Sequence, residues 1–135
     1  MLKRIELTTL LVSVTENGED TIRSVSKGSC LIEETGIMLK YKEEQNDGTA
    51  SLLLTDGLAD LKRHGQTQSR FTFINARLLP CVYVTPQGAL DLSIYTHNQS
   101  FEINAQGGSF DARYTLLASG QQVADNTLTI KWNFI

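Results

Sequence analysis

Apolar and polar residues alternate along most of this chain. Ile37, Leu39 and Tyr41 share one phase of "GIMLKYKE" (residues 36–43), and the same period recurs at Ala50, Leu52 and Leu54, at Ala59 and Leu61, and at Phe71 and Phe73. It returns at Leu90, Leu92 and Ile94, at Phe110, Ala112, Tyr114 and Leu116, and at Leu128, Ile130, Trp132 and Phe134. A period of two places side chains on one face of a β-strand, and no segment shows a convincing helical period. Compact turn signals separate the runs, among them Asn17-Gly18, Asp47-Gly48, Asp56-Gly57, Pro86-Gln87-Gly88 and Ser119-Gly120. They join consecutive strands as hairpins.

Two stretches change phase. Ile5 and Leu7 lie in one register and Leu10, Val12 and Val14 in the other, which predicts a bulge near Thr8 or Thr9; Ser26-Lys27-Gly28-Ser29 predicts a kink at Gly28. Such irregularities let a sheet curl. Short antiparallel strands with one apolar phase, and no helix to cover a second face, define an all-β fold class. The expected architecture is an antiparallel meander closed into a barrel of about eight to ten strands, because closure removes exposed edges. A two-sheet sandwich is the runner-up. The 135 residues fit a single domain spanning 1–135.

The segments "SKGSCLIEETGIMLKYKEE", "TDGLADLKRHG…RFTF", "VTPQGALDLSIYT" and "GGSFDARYTL…NTLTIKW" together resemble the YwiB-like family of small bacterial proteins. The features that carry the resemblance are Gly28, Tyr41-x-Glu43, Arg63-x-Gly65, Phe73, Thr85-Pro86-x-Gly88, Thr96 and Tyr114, in that order along nearly the whole chain. The resemblance implies a calycin-type, lipocalin-like β-barrel. It implies no activity, since the family has no established one.

Composition narrows the function classes. Apolar residues make up 41% and charged residues 20%, and the net charge is −3. That balance gives no general attraction to phosphate backbones or anionic lipid, so neither nucleic acid nor membrane is expected as a partner. The N-terminal "MLKRIELTTLLVSV" is interrupted by Glu6 and interleaved with hydroxyl residues, and it reads as a first strand rather than a signal peptide. Cys30 and Cys81, each in an apolar stretch, read as buried, reduced thiols, which fits a cytoplasmic location.

Several kinds of chemistry are poorly supported. His64 and His97 both adjoin turn-forming residues and read as exposed strand-end histidines; no zinc-ligand spacing is present, and no metal or other cofactor is expected. There is no Gly-x-Ser-x-Gly elbow, and neither cysteine has a histidine nearby in sequence, so no catalytic residue is assigned. Gln106-Gly107-Gly108 joins two strands and opens no helix, so it makes no phosphate cradle. Lys62, Arg63, His64 and Arg70 form a basic cluster beside Glu43, Glu44 and Asp60 and read as a solvated charged face. Two markers of better-known calycins fail: Gly-x-Trp is missing from the first strand, and Arg113 and Tyr114 are adjacent, so alternation sends them to opposite faces.

Polar residues that continue an apolar phase are a different matter. Glu43 follows Tyr41, Arg63 follows Leu61 and Thr96 follows Ile94, and inward polar groups are costly unless paired or wet. In a meander, the strands near 36–44 and 58–64 run the same way with one strand between them. Glu43 and Arg63 then reach the same end of the barrel, about 10 Å apart at Cα, within reach of two long side chains. Tyr83 and the Pro86 turn approach that end too. Tyr41, Glu43, Arg63, Tyr83, Thr96 and Tyr114 are therefore the candidate ligand-binding residues. Either they line a mouth that takes a small, partly apolar ligand, or they plug a solid barrel that serves as a structural or interaction module. Enzymatic use of Glu43 as acid or base ranks below both.

Overall fold

Each alternating run becomes a strand in the computed structural model, which describes residues 1–135; only Leu90 falls outside its strand. The long strands are β1 (Leu2–Thr15), β2 (Gly18–Glu33), β10 (Leu92–Ile103), β11 (Gly107–Ala118) and β12 (Gln121–Phe134). Between them lie β3 (Gly36–Glu43), β4 (Gly48–Thr55), β5 (Leu58–His64) and β6 (Gln68–Phe73). The excursion after β6 supplies three short strands, β7 (Arg77–Pro80), β8 (Val82–Thr85) and β9 (Gly88–Ala89), which take the count past the eight to ten expected. A 3-10 turn at Glu44–Asn46 is the one helical piece, and no helix is long and apolar enough to cross a membrane.

All twelve strands share one antiparallel sheet in the order β7-β10-β11-β12-β1-β2-β3-β4-β5-β6-β8-β9. A single sheet can bury a face only by rolling up, and this one forms a calycin-like half-barrel. β6 meets β10 and β7 across the seam without a hydrogen-bonded ladder between them. Aromatic rings bridge the lumen: Phe73 lies 5.1 Å from Tyr114 and 6.0 Å from Phe110, centroid to centroid. Ile5, Leu7, Leu39, Leu52, Ile130 and Trp132 fill the space around them and are buried. Removing each such side chain from water stabilises the fold by about 1.5–3 kcal/mol.

The expected bulge near Thr8 or Thr9 does not form. β1 pairs residue by residue with β12 from Ile5 to Val14 and with β2 from Leu2 to Thr15, so Thr9 and Leu11 continue the inward phase of Ile5 and Leu7. Leu10, Val12 and Val14 lie on the outer face instead. Flanked by two long partners, β1 loses no rung of its ladders, and a phase change in apolar residues only makes both faces apolar. The real bulges fall at His97 in β10 and at Val123 in β12.

Gly28 does not break its ladder either. It is where β2 joins β3, opposite Tyr41, and the two backbones approach so closely that a Cβ there would sit 2.0 Å from the Lys40 carbonyl oxygen and 2.9 Å from Tyr41 Cβ. Backbone cannot give way as a flexible side chain can. Gly28→Ala is expected to lower stability by at least about 1–3 kcal/mol, read as a fall in the urea midpoint. An unchanged midpoint would mean that the close approach is not required for the roll.

Candidate functional site

The site is built where β3, β5 and β8 end at one rim. Tyr41 and Glu43 stand on the inner face of β3, and Arg63 stands on the inner face of β5, with β4 between. On β4 the residues in line with them are small: Ala50 is opposite both Tyr41 and Arg63, and Gly48 is opposite Glu43. That leaves room for the side chains to cross over β4. A Cβ at Gly48 would lie 1.7 Å from the His64 carbonyl oxygen, so glycine is also what lets the strands close here. Arg63 Nε donates to both Glu43 carboxylate oxygens at 3.0 Å.

A clamp beneath the ion pair fixes the rim. The Asn46 side chain donates to the Thr67 carbonyl at 2.9 Å and accepts from the Thr67 amide at 2.9 Å, while the Gln66 amide donates to the Asn46 carbonyl. This ties the turn after Glu43 to the β5–β6 loop after Arg63, and so holds both charged residues from below. Asn46 lies outside every alternating run, and its role was visible only once the two loops were brought together.

Above the pair opens a cavity of about 310 Å³. Of the candidate residues, Tyr41, Glu43, Arg63, Tyr83 and Tyr114 line it. Thr96 does not. It lies opposite Tyr114 on β10 but is fully buried within the wall, and its Oγ1 has no hydrogen-bond partner in the protein. Alternation puts Thr96 inward correctly, but its side chain is buried away from the cavity lining. The apolar lining includes Leu11, Ile22, Leu61, Phe71 and Leu128, and Thr9 bonded to Ser24 completes the β1–β2 wall. The inferred bulge had turned that wall outward, which is why it was missed; uninterrupted alternation through Thr9 and Leu11 was the available signal.

Electrostatics at the rim follow from burial. Burial acts against the Arg63 charge, but the hydrogen bond and charge of Glu43, aided by Tyr41 and Tyr83, outweigh it and raise the Arg63 pKa. The Glu43 side chain is 15% exposed and that of Arg63 38%, so the pair sits at a half-wet boundary. Burial, reinforced by the Glu43 charge and opposed by Arg63, pushes Tyr41 above the usual tyrosine range. Burial also raises Tyr114, although Asn126 across the register and Arg63 oppose it. The mouth therefore presents neutral hydroxyls beside a compensated ion pair.

Other candidates sort out differently. Cys30 is buried and Cys81 only half-buried, because Cys81 lies between the short strands β7 and β8; both are free thiols. Arg70 binds Asp60 at 2.9 Å on the outer face, but Asp60 is buried and Arg63 turns inward, so the cluster is not the uniformly solvated face expected. His64 ends β5, but His97 sits at the mid-strand bulge of β10. Its Nε2 lies 2.7 Å from Thr115 Oγ1, which donates to Asp125 at 2.7 Å. That hydroxyl proton is committed to a carboxylate, so the trio is no nucleophile–base arrangement.

With this geometry in view, comparison with known proteins places the chain. The model of a family described as a domain of unknown function, DUF1934, matches residues 5–130. The chain belongs to this family. Its structure is similar to the crystal structure of the ywiB protein from Bacillus subtilis, with a TM-score of 0.89, 16% identity, and coverage of 99% of this chain and 93% of that one. At that identity the likeness concerns the fold, and it agrees with the YwiB-like resemblance in the sequence. No curated protein matches the chain.

Two outcomes are expected of residues around this site. Thr96→Val replaces an unpartnered buried hydroxyl by a methyl of similar shape and should stabilise the protein by about 1 kcal/mol in urea unfolding; destabilisation would show that the hydroxyl is satisfied. The second concerns pH. Burial pushes Cys81 from 9.0 up to about 11, so between those values the folded chain holds a proton that the unfolded chain has released. Stability should be complete below pH 9 and fall across that window, and the raised Tyr41 and Tyr114 should extend the fall from pH 10 upward. Urea midpoints across the range check this, and Cys81→Ala should flatten the first part of the slope.

Proposed function

We propose that the protein binds a small, partly apolar ligand at the barrel mouth, with a hydrogen-bond-accepting head at Arg63 and an apolar body against Leu61, Phe71 and Leu128. The observation that carries this reading is that Arg63 engages Glu43 through Nε alone, which leaves the terminal amino groups of its fork for another acceptor beside a cavity of about 310 Å³. That volume is at the lower end of the range for small-molecule sites. The mixture of lining groups supports it: apolar side chains supply area, while the tyrosines and Arg63 supply orientation. We place this function in the cytoplasm; two free thiols support a reducing compartment.

The second reading is a solid interaction barrel without a ligand. It draws support from the far half of the barrel, which Trp132, Phe73, Phe110 and their neighbours fill completely. Acid–base use of Glu43 stands behind both, since its two oxygens already accept from Arg63.

A double-mutant cycle on Glu43→Gln and Arg63→Met, run with a panel of fatty acids, isoprenoids and aromatic acids, tests the ligand reading. At a half-wet rim the pair should couple by about 1 kcal/mol in the unliganded protein, below the 3–5 kcal/mol of a fully buried pair. One panel compound should raise Tm in proportion to ln(1 + [L]/Kd), and Arg63→Met should abolish that rise. A flat response across the panel, with full coupling intact, would leave the pair as a plug.

A further inference from the structure

Two cross-strand rows lie side by side on the outer face. In the first, Leu2, Leu31, Met38 and Leu53 stand opposite one another on β1, β2, β3 and β4. In the second, Arg4, Ser29, Lys40, Ser51, Lys62 and Arg70 do the same from β1 to β6. The second row contains no acid. Its one anionic neighbour in the first row, Asp60, is taken by Arg70. Lys27 and Lys42 stand on the same face, Lys27 opposite Glu6, so the face gathers six of the chain's twelve basic residues (Arg4, Lys27, Lys40, Lys42, Lys62, Arg70), although the chain as a whole carries −3.

The apolar row, with Glu33 beside it, and the Ser29–Lys40–Ser51 part of the basic row line depressions, while Arg4, Lys62 and Arg70 stand outside them. A groove of about 570 Å³ runs over Leu31, Met38 and Leu53, and a second of about 550 Å³ runs over Lys27, Lys40 and Lys42; they join at Ser29 and Lys40. The close approach of β2 and β3 at Gly28 falls within the second groove.

We infer that this face docks an acidic amphipathic helix of a partner protein, its apolar side in the Leu31–Met38–Leu53 groove and its carboxylates against Arg4, Lys40 and Lys62. Charge complementarity sets the sign of the partner, and spacing sets its form. Neighbouring strands are about 4.8 Å apart, so the apolar row repeats close to the 5.4 Å pitch of a helix. Arg4, Lys40 and Lys62 stand on alternate strands, about 10 Å apart, near the 10.5 Å advance of seven helical residues. A helix laid across the strands meets both repeats at once. Membrane insertion calls for several apolar side chains that protrude, whereas Leu31, Met38 and Leu53 are half-buried in a depression and only Leu2 stands out, and single-stranded nucleic acid calls for exposed aromatic platforms, which these rows lack. The docking is independent of the ligand cavity, which opens on the opposite face of the sheet.

The test pans a random-peptide display library against the full chain, with a Lys40→Glu/Lys62→Glu chain as counter-bait, and measures an enriched peptide by fluorescence anisotropy. Enriched sequences should carry Asp or Glu with apolar residues at three- and four-residue spacing. Binding should weaken by at least about tenfold in Lys40→Glu/Lys62→Glu and in Met38→Ser, and should also weaken as salt rises. Circular dichroism confirms that both variants are folded, and the charge variant, which alters only exposed side chains, keeps the test decisive if Met38→Ser unfolds. No enrichment over the counter-bait, or enriched peptides without acids, overturns the inference. Tighter, Lys40-dependent binding of phosphatidylserine vesicles or of a single-stranded oligonucleotide also overturns it. So does a Lys40-dependent dimer of the chain alone in sedimentation.

Discussion

One sheet has to be both walls of its own core. With no helix to lay over it, the inner face of this chain is shielded only because the sheet rolls far enough for β6 to reach β10 and β11 across the lumen. The roll depends on backbones approaching where no side chain intervenes: at Gly28 between β2 and β3, and at Gly48 between β4 and β5. Those two glycines do more than permit curvature. Each sits beside a candidate site residue, Gly28 opposite Tyr41 and Gly48 opposite Glu43, so the positions that tighten the sheet also seat the polar rim.

Rolling one sheet also explains why the two ends of the barrel differ. Large rings close the far half, and three polar atoms are buried with no protein hydrogen bond: Trp132 Nε1 there, and Thr96 Oγ1 and Asn126 Oδ1 on either side of Tyr114. A buried donor or acceptor of this kind costs about 1–3 kcal/mol. At the near end the inward polar groups are larger and charged, and the same cost would be prohibitive without pairing. Glu43 and Arg63 pair, and remain partly wet. The cavity opens at this end, lined by the pair itself and by apolar side chains.

Much of this was legible from alternation alone. Glu43 and Arg63 continue apolar phases on strands separated by one intervening strand, and period two with antiparallel order is enough to bring them together. The β1–β2 wall was misread because Leu10, Val12 and Val14 make an apolar outer phase, and a sequence in which both phases are apolar cannot say which faces in; the ladders decide it, and they run unbroken. Asn46 and Cys81 were illegible for another reason. Their environments are set by loops and short strands distant in sequence, Gln66–Thr67 for Asn46 and the β7–β8 excursion for Cys81, where no periodic signal exists. Thr96 shows the limit of the method: alternation gives the side of the sheet, and only packing gives what lies above the residue.

The outer face follows a different rule from the inner one. Inside, a row of side chains across several strands is forced to be apolar by burial, whatever the protein does. Outside, water tolerates any mixture, and the default is interspersed charges of both signs. A row of Arg4, Lys40, Lys62 and Arg70 separated only by serines, set against a row of Leu2, Leu31, Met38 and Leu53, is not required by the roll, by solubility or by the rim. Cross-strand apolar neighbours contribute modestly to the isolated chain, but the like charges of the basic row repel and the apolar row stays partly exposed. The fuller energetic return of this arrangement comes when something acidic and apolar lies across it, which is the physical ground for the proposed docking.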